Sequence, residues 1–129
     1  MSHRQPVSAP DAPKPAGPYS HAVRSGGLLF CSGQVPIDPA TGSLVEGSIG
    51  DQARQCLENL STVCAAAGVQ LSDAVRMAVY VTDISTFAQV NEVYGTYFES
   101  DPPARTTIGV AALPGGAQIE MDAIVALPD

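Results

Sequence analysis

Between Ser48 and Pro103 the hydrophobic period of the chain changes twice, and this alternation restricts the fold more than any other feature of the sequence. Ala53, Leu57, Leu60, Cys64 and Ala67 recur at helical spacing. Ser48 with Asp51 three positions later forms a capping-box pattern ahead of them, and Gly68 closes the run. The spacing predicts a helix over about residues 49–67. The period then shortens to two: Val75, Met77, Val79 and Val81 alternate within residues 74–83 and predict a buried strand. A second helix comes next, capped by Ser85 or Asp83. Its apolar stripe is Phe87, Val90, Val93 or Tyr94, and Tyr97 or Phe98, and Pro102-Pro103 ends it.

Strand signals lie on both sides of this α-β-α core. Residues 19–23 and 28–37 suit two strands joined through Ser25-Gly26-Gly27, and residues 38–42 (Asp-Pro-Ala-Thr-Gly) form a turn. Residues 105–112 and 117–127 suit two more, linked by Leu113-Pro114-Gly115-Gly116. The first eighteen residues carry Pro6, Pro10, Pro13, Pro15 and Pro18, which remove backbone donors, so residues 1–18 are expected to be a lead-in rather than an element. The expected class is α+β, in the order β-β-α-β-α-β-β. Right-handed crossovers would place both helices on one face of a mixed sheet. The other face then needs a cover, and with no third layer in the sequence a closed symmetric oligomer is expected.

At 129 residues the chain has the size of one domain, and its 45% apolar and 15% charged composition is that of a globular protein. A formal net charge of −7 with only six Lys and Arg argues against a nucleic-acid surface, which needs clustered cations. Cys31, Cys56 and Cys64 show neither CxxC nor paired-His spacing, so neither a zinc site nor a disulfide framework is indicated, and reduced buried thiols are expected. No apolar run approaches the roughly 20 residues that span a bilayer, and no leader pattern opens the sequence; a cytoplasmic protein with no membrane partner is expected.

Arg105 and Glu120 stand against the small and apolar character of the two C-terminal strand stretches. An arginine fork grips a carboxylate through two parallel hydrogen bonds, and a nearby glutamate can orient and deprotonate water. Taken alone, the pair reads more simply as charges on a solvated strand face. Glu120 and Asp122 fall on one face by alternation, where like charges raise a carboxylate's proton affinity. Tyr19 either caps a cleft or anchors the lead-in. Asn91, beside the second helical stripe, serves either substrate or a structural hydrogen bond. Ser32 and Gly33 interrupt an apolar strand, as a bulge or a close approach of backbone to ligand. His21 reads as an ordinary surface residue, and His3 is assigned no role.

Five strings at compatible spacing together resemble the reactive intermediate deaminase (Rid, YjgF) family. They are Gly17-Pro18-Tyr19-Ser20, Ser32-Gly33-Gln34 with its Asp38 to Gly42 turn, Val90-Asn91-Glu92-Val93-Tyr94, Pro103-Ala104-Arg105, and Ile119-Glu120-Met121-Asp122-Ala123. The resemblance implies a single Rid-type domain over residues 1–129 with a chorismate-mutase-like α+β fold. It also implies a homotrimer with clefts between subunits, and hydrolysis of 2-imino or 2-enamino acids of the 2-aminoacrylate type to 2-keto acids and ammonia. Arg105 resembles the arginine that holds the substrate carboxylate, and Glu120 the acid that activates water. Tyr19, Ser32, Gly33 and Asn91 resemble cleft-lining residues. Thr107 stands where some members carry Cys, and its backbone groups can still bond substrate.

Such hydrolysis requires no metal and no cofactor. A non-catalytic module binding 2-keto acids would use the same Arg105 clamp, whereas Glu120 favours an enzyme. Ribonuclease activity, ascribed to some relatives, fits poorly with the acidic balance and the lack of a His pair. If the last two strands formed a hairpin, Arg105 would lie opposite residue 124 or 125. Glu120 would then stand on the order of 13 to 17 Å away, so one site would need either the two residues from neighbouring subunits, which is the expectation, or a strongly irregular hairpin.

Overall fold

The computed structural model of the protein describes residues 3–128. Its first helix, α1 (Ile49–Ala66), begins as the capping-box pattern requires: the Ser48 side chain accepts from the Asp51 N–H, and the Asp51 carboxylate accepts from the Ser48 N–H. Ahead of it lie β1 (Gln5–Val7), β2 (Ala22–Ser25) and β3 (Leu28–Gln34), then a small hairpin of β4 (Ile37–Asp38) and β5 (Ser43–Leu44). After α1 come β6 (Ala74–Val81), α2 (Phe87–Gly95), β7 (Ala104–Gly109) and β8 (Ile119–Ala126). Gly26 and Gly27, at φ of 60° and 81°, make the two-residue turn between β2 and β3. Asp83 accepts from the Ser85 N–H in a short 3-10 turn leading into α2, which stops at Gly95, well before Pro102-Pro103.

Among the described residues, six strands form one sheet in the order β1-β2-β3-β8-β6-β7. β6 and β7 run parallel around α2, and every other pairing is antiparallel. The α+β reading therefore stands, with β1 and the β4–β5 hairpin added to it. The final hairpin does not. β8 leaves β7 altogether and inserts between β3 and β6, burying Ile119, Met121, Ala123 and Val125 in one core with Leu57, Leu60 and Val63 of α1. A central strand flanked on both sides buries more of that apolar row than an edge position beside β7 would.

Two segments depart from the expected pattern for local reasons. Ala74 pairs with Val125 and Arg76 with Ile124, so Val75 has no partner across the ladder, and this bulge leaves it 45% exposed. The first eighteen residues, in turn, are more than a lead-in: β1 adds an edge strand, with Pro6 at a position on the rim that an edge tolerates. His21 ties down residues 9–13. Its ring is buried rather than on the surface; Nδ1 accepts from the Ala9 N–H at 3.1 Å and Nε2 donates to the Pro13 carbonyl at 2.8 Å. A neutral imidazole accepts on one nitrogen and donates from the other, so a single ring serves both ends of this strap. Replacing His21 with Leu should strand the buried Ala9 N–H and cost about 2–3 kcal/mol. Urea unfolding measures the loss, and unchanged stability would show that the strap does not depend on the ring.

Candidate functional site

The β3 strand carries an extra residue where it faces β8. Cys31 pairs with Ala123 and Gln34 with Met121, so Ser32 and Gly33 together oppose Asp122. Of the two readings of this Ser-Gly step, the bulge is present, and a close approach accompanies it, made by a side chain of the protein itself. A Cβ added to Gly33 would stand 2.0 Å from Oε2 of Glu120. The carboxylate thus lies directly on the glycine backbone. Ser32 is fixed beside it, its hydroxyl donating to the Ser20 carbonyl at 2.6 Å.

Glu120, Ser32, Gly33 and Tyr19 line one cavity of about 370 Å³, together with Lys14, His21 and prolines of the lead-in. The Tyr19 hydroxyl accepts from the Ala16 N–H at 3.0 Å while much of its ring stays exposed, so Tyr19 anchors the lead-in and walls the cavity at once. Burial, and secondarily the charge of Asp122, raise the Glu120 carboxyl above the usual carboxylate range. The expected pairing of these two acids on one strand face is present, and burial is the larger cause.

Arg105 lies elsewhere. In the parallel register it pairs with Met77 and Thr107 with Val79, whose side chains face the helices, whereas Glu120 pairs with Tyr80 on the bare face. The two residues are separated by two strand spacings and three residues along β6, roughly 14 Å, and point to opposite sides of the sheet. The distance is close to that expected from a hairpin, but its cause is the intervening β6. The Arg105 guanidinium carbon sits 4.6 Å from the Tyr94 ring centre and 5.4 Å from that of Phe87. Stacking of this kind holds the planar fork while leaving its N–H edge for an anion.

Asn91 is four residues after Phe87 and three before Tyr94, which puts it on the stripe of α2 that meets Arg105. Thr107 adds a buried hydroxyl with no hydrogen-bond partner among the described residues, and the Tyr94 hydroxyl is in the same condition. The seven candidate residues therefore form two groups: Glu120, Tyr19, Ser32 and Gly33 on one side, and Arg105, Thr107 and Asn91 on the other. In the sequence Phe87 and Tyr94 present only a core stripe, because nothing in α2 itself signals that a cation from β7 will lie across it.

A family model described as endoribonuclease L-PSP matches residues 9–127. The chain belongs to the reactive intermediate deaminase (Rid, YjgF) family. Among its relatives, protein DfrA of Myxococcus xanthus is 49% identical over 123 residues, covering 94% of each chain. The 2-iminobutanoate/2-iminopropanoate deaminase of Mus musculus is 42% identical over 121 residues, covering 94% of this chain and 90% of that one. The crystal structure of RidA from the Antarctic bacterium Psychrobacter sp. PAMC 21119 superposes with a TM-score of 0.91 at 41% identity, covering 95% of this chain and 99% of that one. The architecture is accordingly the chorismate-mutase-like α+β fold of Rid proteins. Among the described residues no helix is long and apolar enough to cross a membrane, and no group of three or more His, Cys, Asp or Glu side chains is placed to hold a metal ion.

The Glu120 geometry generates two expected outcomes. Gly33 has a φ outside the left-handed region, so Gly33→Ala leaves the backbone unstrained but expels the carboxylate; any activity that uses Glu120 should fall at least tenfold with the melting temperature nearly unchanged. A crystal structure of the variant showing Glu120 in place would contradict this. Glu120→Gln should raise stability at neutral pH. Below the ordinary carboxylate range Glu120 is protonated both folded and unfolded; as pH rises, the unfolded carboxyl ionises first and the parent loses stability through the raised folded value. The gain in melting temperature, of the order of 2 °C, should therefore be present at pH 7 and absent at pH 4.

Proposed function

We propose that this chain hydrolyses 2-imino acids and their enamine tautomers, of the 2-iminopropanoate and 2-aminoacrylate type, to 2-keto acids and ammonia. The observation that carries the reading is the division of the site into two halves: a stacked arginine fork on one side of the sheet, and a desolvated carboxylate in a cavity on the other. Each half supplies what the other needs for this chemistry. The naming of the mouse relative as an imine deaminase supports the same reaction.

Arg105 grips the substrate carboxylate, each charged hydrogen bond contributing about 1.5–3 kcal/mol where water is excluded. Glu120 accepts a proton as water adds to the C=N carbon, while the π electron pair moves to nitrogen and that proton follows it. The resulting carbinolamine then gives its hydroxyl proton to Glu120, the C–N bond breaks as C=O forms, and Glu120 protonates the departing nitrogen. Water is consumed and one ammonia released per turnover, and Glu120 ends as it began. Its raised proton affinity makes it a stronger base in the first step and a ready acid in the second.

Since Arg105 and Glu120 of one chain face opposite sides of the sheet, the working site joins Arg105 of one subunit to Glu120 of the next in a homotrimer. The bare sheet face supports association: Phe30, 42% exposed, lies in register between Val23 and Ile124, an apolar row with no cover. The net charge of −7, and a His21 whose two ring nitrogens are both engaged, give no support to ribonuclease chemistry. A protein that only binds 2-keto acids would retain the Arg105 requirement but show no turnover for Glu120→Gln to remove.

The test begins with keto-acid formation from imines generated in solution by an amino-acid oxidase. Arg105→Ala should abolish acceleration, and Arg105→Lys should lose most of it for want of a bidentate fork. When inactive Arg105→Ala and Glu120→Gln proteins exchange subunits in equal amounts, about three quarters of the trimers are mixed, each with one intact interface in three. Roughly one quarter of parental activity should return. No recovery despite verified exchange would place the site within one chain.

A further inference from the structure

The bare face beside Glu120 contains a second acid. Asp122 is two residues along β8, on the same face and about 7 Å away by strand rise. It is not a loose surface carboxylate. Its Oδ2 accepts the Tyr80 hydroxyl at 3.0 Å, and Tyr80 stands directly opposite Glu120 in the β6–β8 ladder. One aromatic side chain therefore spans the pair, its backbone paired with Glu120 and its hydroxyl on Asp122. The Asp122 carboxylate is held by Tyr80, and the residue lies opposite the Ser32-Gly33 bulge on which Glu120 rests.

We propose that Asp122, fixed by Tyr80, is a positioning residue for the reaction: a stationary negative charge that strengthens Glu120 as a base without touching substrate. A second negative charge on the same strand face favours retention of a proton on Glu120, whose proton affinity is already raised by burial. The Tyr80 hydroxyl donates to Asp122 and so fixes where its carboxylate lies relative to Glu120. The raised affinity of the Tyr80 hydroxyl for its own proton, caused first by its bond to Asp122, keeps the donor in place across the working range. The other titratable or charged groups near Glu120 are Lys14 of the lead-in, Tyr19 and His21 just after it, the buried Cys56 thiol of α1, and Arg76 farther along β6. Among the described residues it is Tyr80 whose side chain bonds Asp122, which makes it the anchor.

The role of Asp122 rests on Glu120 being the proton carrier, and the experiment separates the two ideas. In the full-length protein, Asp122→Asn keeps an acceptor for Tyr80 but removes the charge. The acidic limb of the kcat/KM profile should move down by about half a pH unit or more, and the rate at pH 7 should fall about two- to fivefold as the base weakens. Tyr80→Phe, which frees Asp122 but keeps its charge, should shift the limb the same way by less. A 13C carboxyl titration of Glu120, assigned through Glu120→Gln, should move in parallel and reads the effect without turnover. A uniform loss of rate with an unmoved limb, or a Glu120 titration identical in parent and Asp122→Asn, would overturn the proposal. An inactive parent whose Glu120 titration still responds to Asp122→Asn would overturn the imine reading and leave the coupling standing.

Discussion

Everything in this structure depends on β8 lying between β3 and β6. A strand in that position must satisfy two environments at once, and its strict alternation does so: Ile119, Met121, Ala123 and Val125 are buried against α1, while Glu120, Asp122 and Ile124 face the other side. The first row supplies much of the core. The second brings two carboxylates onto a surface walled by the β3 bulge, the lead-in and Tyr80, so the strand that completes the sheet also installs its acidic chemistry.

The Glu120 environment arises from small backbone features rather than from a deep cavity. Gly33 has no Cβ, and the carboxylate occupies the space one would fill. Ser32 is bonded back to Ser20, just after the lead-in, and the lead-in is held by His21. Desolvation results from this enclosure, and the like charge of Asp122 adds to it. A carboxylate that has lost part of its water binds protons more tightly, which is the property a proton carrier between water and nitrogen needs.

On the helix side, β7 contributes an arginine whose fork lies across Tyr94 and Phe87. Because β6 separates β7 from β8, and because the registers put Arg105 level with Met77 and Glu120 level with Tyr80, no side-chain rotation brings the two ends together within one chain. A bare sheet face with an apolar row offers a place for a second subunit, and the small substrate of the proposed reaction would need both halves close. In the proposed reaction, association and catalysis would be linked by this same geometry.

Local order was legible in the sequence: the capping box at Ser48, the helical spacing of α1, the alternation in β6 and β8 and the Gly26-Gly27 turn each act within a few residues. So were the residue types of the candidate site, since an arginine or a glutamate in an apolar strand is conspicuous wherever the strand ends up. Partner choice was not. Consecutive strands joined by Pro-Gly-Gly suggest a hairpin, yet β8 gains two neighbours and a helix by moving to the centre, an advantage visible only when α1 and β3 are in place. The burial of His21, the bulge that exposes Val75 and the cation resting on α2 belong to the same class. Sequence determined the elements and the chemistry they carry, because periodicity and caps are local. Tertiary structure decided the order of strands and the face each charge takes, because those depend on contacts between residues far apart in the chain.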